Sequence, residues 1–459
     1  MNLLLLLIGM RPWRAQSARV RLTRIFVAIG LFSLEMQAVT VFGLGSMYSL
    51  RAVNAVVAAA IFLRWPPARV RAGERIVPLR RAVPVVAGVG MGLLVLLLNL
   101  GMPLTAADEY HLQKIAYIQS TGTLAYNPAV SEKVNVVGSL YELVLADLGA
   151  LPGIGEVALR LHGLWGLLLM LAGIAAAREL LDGDPSRLEP AGASTRHDWM
   201  WAAVLLVPAL FHQFVLVKND LFVAAPALAI LAWMLGRVRS APLPEVGWAA
   251  WLTGIVVATK LTSLPLAVIL GAGVLWSRPR DWRTFGLVLA GGAAGALTGG
   301  LFFALAENLR VYQDIMPVAD QGNVSRSVGE AFANLGRFAL SLFDLGQLTP
   351  RWWPGRGGWG TTFGLPFIWA IVVLVPAWRR ERLARTALVV GALYFVMFAL
   401  VFQDADLAHR IVLAPGLLLV LAAVTVMRAA APGQRTALAV ALGLSAAQIL
   451  RSAALYWIH

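Results

Sequence analysis

"VPVVAGVGMGLLVLLLNL" (Val83–Leu100) runs straight into "GMPLTAADEYHLQKIAYIQSTGTLAY" (Gly101–Tyr126), and the junction between them decides how the chain is read. The first stretch carries no charge over nearly the length, about twenty apolar residues, that a bilayer core demands of one helix. The second opens on two adjacent acids, Asp108 and Glu109, with Tyr110, His111 and Lys114 close behind. An apolar run that ends in a dense cluster of ionisable groups reads as a membrane span delivering side chains to one surface.

The remaining sequence repeats the apolar run. Of 459 residues 59% are hydrophobic and 14% charged, too apolar a balance for a soluble protein of this length. The expected fold is an all-α polytopic membrane protein, with short amphipathic helices in its outer loops. Apolar runs near 25–45, 47–63, 83–103, 157–176, 199–217, 221–236, 245–259, 261–276, 284–306, 363–378, 386–403, 411–429 and 436–455 suggest about 13 transmembrane helices. The opening "MNLLLLLIGM" has neither a positive leader nor a small-residue cleavage site, so it is read as part of the mature chain and not as a signal peptide. With no cysteine, disulfides, thiol catalysis and thiolate metal sites are excluded.

The net charge of +14 is distributed in arginine-bearing loops: 11–24, 64–81, 177–197, "RVRS" (237–240), "SRPRDWR" (277–283), "WRRERLAR" (378–385) and "RAAAPGQR" (428–435). Alternating the spans puts all of them on one side, which the positive-inside rule makes cytoplasmic. The basic charge is thus a topology signal, and no nucleic-acid partner is expected. The opposite side receives two long loops, 104–156 and 307–362, and all four lysines of the chain, Lys114, Lys133, Lys218 and Lys260. The basic loop 64–81 divides an N-terminal hairpin (1–82) from a core (83–459). Glu35, inside that hairpin, reads as a structural glutamate, since no cation lies near it in sequence.

Four outer segments then bring ionisable groups to one face. They are Asp108, Glu109, His111 and Lys114; Lys218, Asn219 and Asp220; Lys260; and Asp404, Asp406, His409 and Arg410. A lone charge at a span end can simply reach into the headgroups. Two like-charged acids side by side gain nothing from anionic lipid, so Asp108 and Glu109 are expected to be functional. His111 stands three residues after Asp108, close enough in a helix to share its face and orient a carboxylate or contact substrate. Metal binding would need two or three further ligands. Histidines 162, 197, 212, 409 and 459 show no paired spacing, so no metal is required, a divalent ion at the acids being the alternative. The glycines of "AGGAAGALTGG" (290–300) lie in an apolar run and are read as close-packing positions.

Taken in order, these landmarks resemble the GT-C class of integral-membrane glycosyltransferases, which includes the protein O-mannosyltransferases, the lipid A aminoarabinose transferase and bacterial relatives. The first outer loop of that class reads like D-E-x-x-Y-H-x-x-x-A-x-x-x-x-x-G. Asp108, Glu109, Tyr110, His111, Ala116 and Gly122 approximate it, with the tyrosine directly after the acids. "FVLVKNDLFVAAPAL" (214–228), "GIVVATKLTSLPLA" (254–267), "ENLRVYQDIMP" (307–317) and "AHRIVLAP" (408–415) are similar to later landmarks of the class. The likeness spans roughly 83–430; the hairpin 1–63 departs from the simplest layout of the class.

The resemblance implies transfer of a sugar from a polyprenyl-phosphate donor, with inversion, to a lipid, glycan or protein acceptor on the periplasmic face of a bacterial-type inner membrane. Such chemistry needs a carboxylate base for the acceptor and cations for the departing phosphate. Asp108 matches the first acid of the class and is the expected base, with Glu109 its substitute or the group that positions acceptor or sugar. Tyr110, His111, Lys114, Lys218, Asp220, Lys260 and Arg410 are the expected substrate contacts, Lys260 and Arg410 foremost at the phosphate. Besides donor and acceptor, the partners expected are membrane lipids. The other readings are a transporter or flippase of lipid-linked saccharides, which would carry its charges mid-span, and an O-antigen-type ligase, which would favour outer arginines over an acidic pair.

Overall fold

The structure is a computed structural model, and it describes residues 1–459 apart from 16, 65–81, 102–108, 127–138, 183–200, 202, 279–280, 316–326, 343–362, 402–411, 428–431 and 459. Helices make up nearly all the regular structure, and no strand occurs among the described residues. In chain order they are α1 (Asn2–Met10), α2 (Ala18–Phe42), α3 (Leu50–Arg64), α4 (Ala82–Gly101), α5 (Glu109–Thr121), α6 (Leu140–Gly149), α7 (Gly155–Arg160), α8 (His162–Asp182), α9 (Pro208–Val215) and α10 (Asp220–Gly236). There follow α11 (Leu243–Thr259), α12 (Leu264–Ser277), α13 (Trp282–Thr298), α14 (Leu301–Tyr312), α15 (Val328–Ser341), α16 (Gly364–Ala377), α17 (Arg382–Val401), α18 (Leu413–Val426) and α19 (Pro432–Ile458).

Among the described residues four helices, over Ala18–Phe42, His162–Leu181, Arg382–Val401 and Gly433–Ala454, are long and apolar enough to cross a bilayer. The number rises to five if α13 and α14 count as one bent span. Six further apolar stretches of helix, among them Ala87–Gly101 of α4, are 10–17 residues long. At about 1.5 Å per residue a helix of 17 residues rises about 26 Å, whereas all 20 residues of α4 rise about 30 Å, the thickness of a bilayer core. A count of apolar runs cannot see where a helix breaks. The run 284–306 is interrupted at Gly299–Gly300, where Gly300 takes a left-handed φ of 83° and the chain turns by 60°. Among the described residues of the run 199–217, an α-helix occurs only over Pro208–Val215.

Helix ends follow local chemistry. The Ser17 hydroxyl accepts from the Val20 amide at the start of α2, and Gly43, at φ 64°, ends that helix. The Asp281 carboxylate accepts from the Thr284 amide to open α13. Both satisfy backbone groups that a helix terminus leaves over.

The centre of the bundle is α10 with α18. Both are buried on nearly every face, from Leu221 to Leu235 and from Leu413 to Thr425. Around them α8, α11 and α17 complete the core. Helices α11 and α13 approach backbone to backbone. A Cβ built at Gly295 would stand 1.9 Å from the Trp251 carbonyl oxygen, and one at Gly254 would stand 2.1 Å from that of Gly292. The glycine run therefore serves close packing.

The N-terminal helices α1–α3 form a platform for α5 and α6. Asp147, on α6, caps α1 by accepting from the Asn2 amide (3.0 Å) and the Leu3 amide (2.9 Å). The Asn2 side chain donates in turn to the Met47 carbonyl, and Asn54 donates to Asn2. The far end of α5 is tied down as well. Met47 N donates to Gly122 O (2.8 Å), Leu124 N to Thr40 Oγ1 (2.9 Å), and the Tyr48 hydroxyl to Gln119 O (2.6 Å). Glu35 sits partly buried on α2, facing Asn54 of α3.

Candidate active site

Helix α5 begins at Glu109, after the apolar helix α4 and the residues 102–108. Asp108 and Arg410, with Asp404, Asp406 and His409, lie outside the described residues, and of Glu109 and Tyr110 only the backbone is described. The next turn is fully defined. His111 and Lys114, three residues apart, share one helical face and are both buried against α6.

The group that receives them is Glu142, on α6. The His111 Nδ1–H donates to Glu142 Oε1 at 2.6 Å, and the His111 ring meets the Tyr141 ring edge-on at 5.6 Å. The Lys114 ammonium lies 5.2 Å from the centre of the Tyr126 ring. Burial pushes the Lys114 ammonium down to about 8, against the opposing pull of Glu142. Burial also works against the Glu142 carboxylate. The hydrogen bond and charge of His111 and the charge of Lys114 outweigh it and hold the carboxyl below the ordinary glutamate range. Tyr126 connects this block to the bent segment, its amide donating to Glu307 Oε2 at 3.0 Å. Glu307 is gripped by Arg310, whose Nε and Nη2 reach its two oxygens at 2.8 and 2.7 Å.

A second cluster forms where α10 begins and α11 ends. Lys260 donates to the Asp220 carboxylate, itself almost fully buried, and Asn219 donates to the Thr259 carbonyl at 3.2 Å. The pairing joins two turns that the sequence expectation treated as separate substrate contacts. It leaves Lys260 partly exposed and fixed in place by a carboxylate.

An apolar cavity of about 280 Å³ is lined by Tyr141, next to Glu142 in sequence, and by Leu221, next to Asp220. Its walls come from Leu3, Leu4 and Leu7 of α1, Ile25 and Ile29 of α2, Tyr141 and Val144 of α6, Trp165 and Leu168 of α8, and Leu221 and Phe222 of α10. Lys218, Gln213 and His162 are its polar lining residues. Leu4, Trp13, Trp165 and Leu168, which border it, are well exposed. Tyr141 belongs to both features: it lines the cavity, meets Phe222 at 6.0 Å, and carries His111 on its other side. Among the described residues no three His, Asp or Glu side chains gather to hold a metal ion.

Glu142 and Tyr141 were not singled out from the sequence. The available signal was "LYELVLADLG" (140–149), an apolar helix with two acids. Both acids are buried, and each is engaged by another element.

These features define a helical membrane protein with a buried acid–base block and a neighbouring apolar cavity at one end of its bundle. The chain matches the model of glycosyltransferase family 87 over residues 141–403, more than half its length, and it belongs to that family. No curated protein and no solved structure matches it. The matched stretch contains Tyr141, Glu142, Lys218, Asp220 and Lys260, while α5 and Arg410 lie beyond its ends.

Proposed function

We propose that the protein moves a sugar from a polyprenyl-phosphate donor to a lipid, glycan or protein acceptor, with inversion, at the outer face of an inner membrane it crosses about 13 times. The observation that carries this is the apolar cavity with Lys218 on its lining and the Lys260–Asp220 pair beside it. A donor that is a hydrocarbon chain ending in a phosphate matches both properties. The chain lies along Leu4, Leu168 and Phe222, and the phosphate sits among Lys218, Lys260 and Arg410. A glycosyltransferase using a water-soluble nucleotide sugar has no need of an apolar cavity next to its cations.

In the reaction the acceptor O–H or N–H gives its proton to a carboxylate, Asp108 by its place in the first outer loop, with Glu109 positioning acceptor or sugar. The acceptor's lone pair forms the new bond at the anomeric carbon, and the old bond to the phosphate oxygen breaks on the opposite side. The departing polyprenyl phosphate carries away the electron pair. Lys260, held by Asp220 and partly exposed, brings its positive charge to that growing negative charge, where stabilisation lowers the barrier most.

Purified protein incubated with a panel of polyprenyl-phosphate sugars releases polyprenyl phosphate with at least one member, and with none of the matching nucleotide sugars. Lys260→Met, which keeps the apolar stem, lowers both donor affinity and turnover. Turnover of a nucleotide sugar without any lipid-linked donor overturns the reading.

A further inference from the structure

We propose that Glu142 is a positioning residue, which holds His111 from beneath α5 and so sets the placement of that helix against α6 and its Tyr141 wall. The proposal rests on the transferase reading above and adds to it the group that aligns the reacting end of α5.

Three observations carry it. First, a buried hydrogen bond ties α5 to α6: His111 donates to Glu142 Oε1 at 2.6 Å, and its ring meets the Tyr141 ring edge-on at 5.6 Å. The charge of Lys114, one turn further along the same face, favours the Glu142 carboxylate. A hydrogen bond and a ring contact to neighbouring residues of α6 together limit how far α5 can turn or slide over it. Second, all three groups are buried, with 3% of His111, 4% of Lys114 and 7% of Glu142 exposed. A buried ionic group of this kind is a poor source of net stability, because apolar side chains of similar volume often serve the fold as well or better. What it supplies is a defined geometry. Third, the bond sits close in the chain to both parts of the site: α5 begins at Glu109, two positions before His111, while Tyr141, next to Glu142 in sequence, lines the cavity. A shift of α5 by one ångström moves its first turn relative to the cavity by the same amount, and displacements of that size can cost about a hundredfold in rate.

The test uses the full chain, which has no cysteine, with single cysteines placed at Gln113 on α5 and Val157 on α7, both exposed, and spin-labelled. Turnover is measured without labels, using the polyprenyl-phosphate sugar that the wild type consumes. Glu142→Gln keeps the shape and removes the charge. It should lower kcat about ten- to a hundredfold while changing the donor KM by less than about threefold, and should broaden or shift the Gln113–Val157 distance distribution. Glu142→Asp, which restores the charge, should recover part of both. Wild-type kcat in Glu142→Gln, or a lost kcat with an unchanged distance distribution, overturns the proposal. Where Glu142→Gln does not purify as a folded species, His111→Gln breaks the same hydrogen bond from the α5 side and is judged by the same outcomes. If the wild type consumes none of the lipid-linked donors, the donor reading falls, and the spin-label distances alone decide whether Glu142 positions α5.

Discussion

Lys114 sits in a position few lysines tolerate, buried under α5 with its ammonium near the Tyr126 ring and Glu142 as its counter-charge. Its proton is lost near pH 8, where an unfolded lysine keeps it to about 10.5. Between those values the unfolded chain binds more protons than the folded one, so this group makes stability rise with pH; below about 8 the cost of burying the charge is fully present. Activity should move the other way, because above about 8 the Lys114 charge that favours the Glu142 carboxylate is lost. We expect kcat to fall as pH passes through about 8, while the unfolding temperature gains relative to Lys114→Met over the same interval. Profiles of kcat and melting temperature that run parallel in the two proteins would exclude this assignment. At the other end of the block, Asp108→Asn should leave a protein that inserts and purifies normally but loses more than about nine-tenths of its turnover, since a general base contributes about 10²–10⁴-fold. Glu109→Gln should cost less, and a reversed order of the two effects exchanges their roles.

The elements are held together by two different devices. Helices α11 and α13 rely on the absence of side chains, with Gly254 and Gly295 letting the backbones meet. A Cβ at Gly295 meets the Trp251 carbonyl, which belongs to a helix and cannot rotate away. Gly295→Val should therefore destabilise the bundle by about 1–3 kcal/mol or more, read as a lowered melting temperature in detergent. Gly286→Ala, on the same helix with open space around it, should not lower it. Helices α5 and α6 use hydrogen bonds instead. Asp147 caps α1, and the Met47, Tyr48 and Thr40 contacts fasten the far end of α5. The N-terminal hairpin, whose purpose the sequence left open, thus supports the helix that carries the acids.

At the scale of the whole molecule, the arginine-rich loops and the α5 end should lie on opposite sides of the membrane. A cysteine replacing Ser120, exposed on α5, should react with an impermeant thiol reagent in intact spheroplasts, and one replacing Ser240, exposed in the "RVRS" turn, should not. Labelling at Ser240 alone inverts the topology and removes the shared outer face on which the donor reading depends. Much of this architecture was legible in the chain, because hydropathy and charge are local properties. The apolar runs dictated apolar helices, and the "AGGAAGALTGG" run announced a tight helix contact. Span number was less legible: the same hydropathy that marks a run does not report the bend at Gly299–Gly300 or the end of α9 at Val215.

What the sequence by itself determined was therefore the class of fold and the stretch of chain, Asp108 to Lys114, where ionisable groups crowd a span end. Only the tertiary structure decided their partners. Glu142 reaches His111 across 31 positions and Asp220 reaches Lys260 across 40, joining elements that no periodicity links. The cavity draws its walls from α1, α2, α6, α8 and α10. Such pairings depend on how helices cross and how deeply each side chain is buried, and these are set only when the bundle packs. An acid in "LYELVLADLG" looks like an interruption in an apolar helix until α5 is laid against it; the burial that makes Glu142 costly is the same burial that places it under His111 and Lys114.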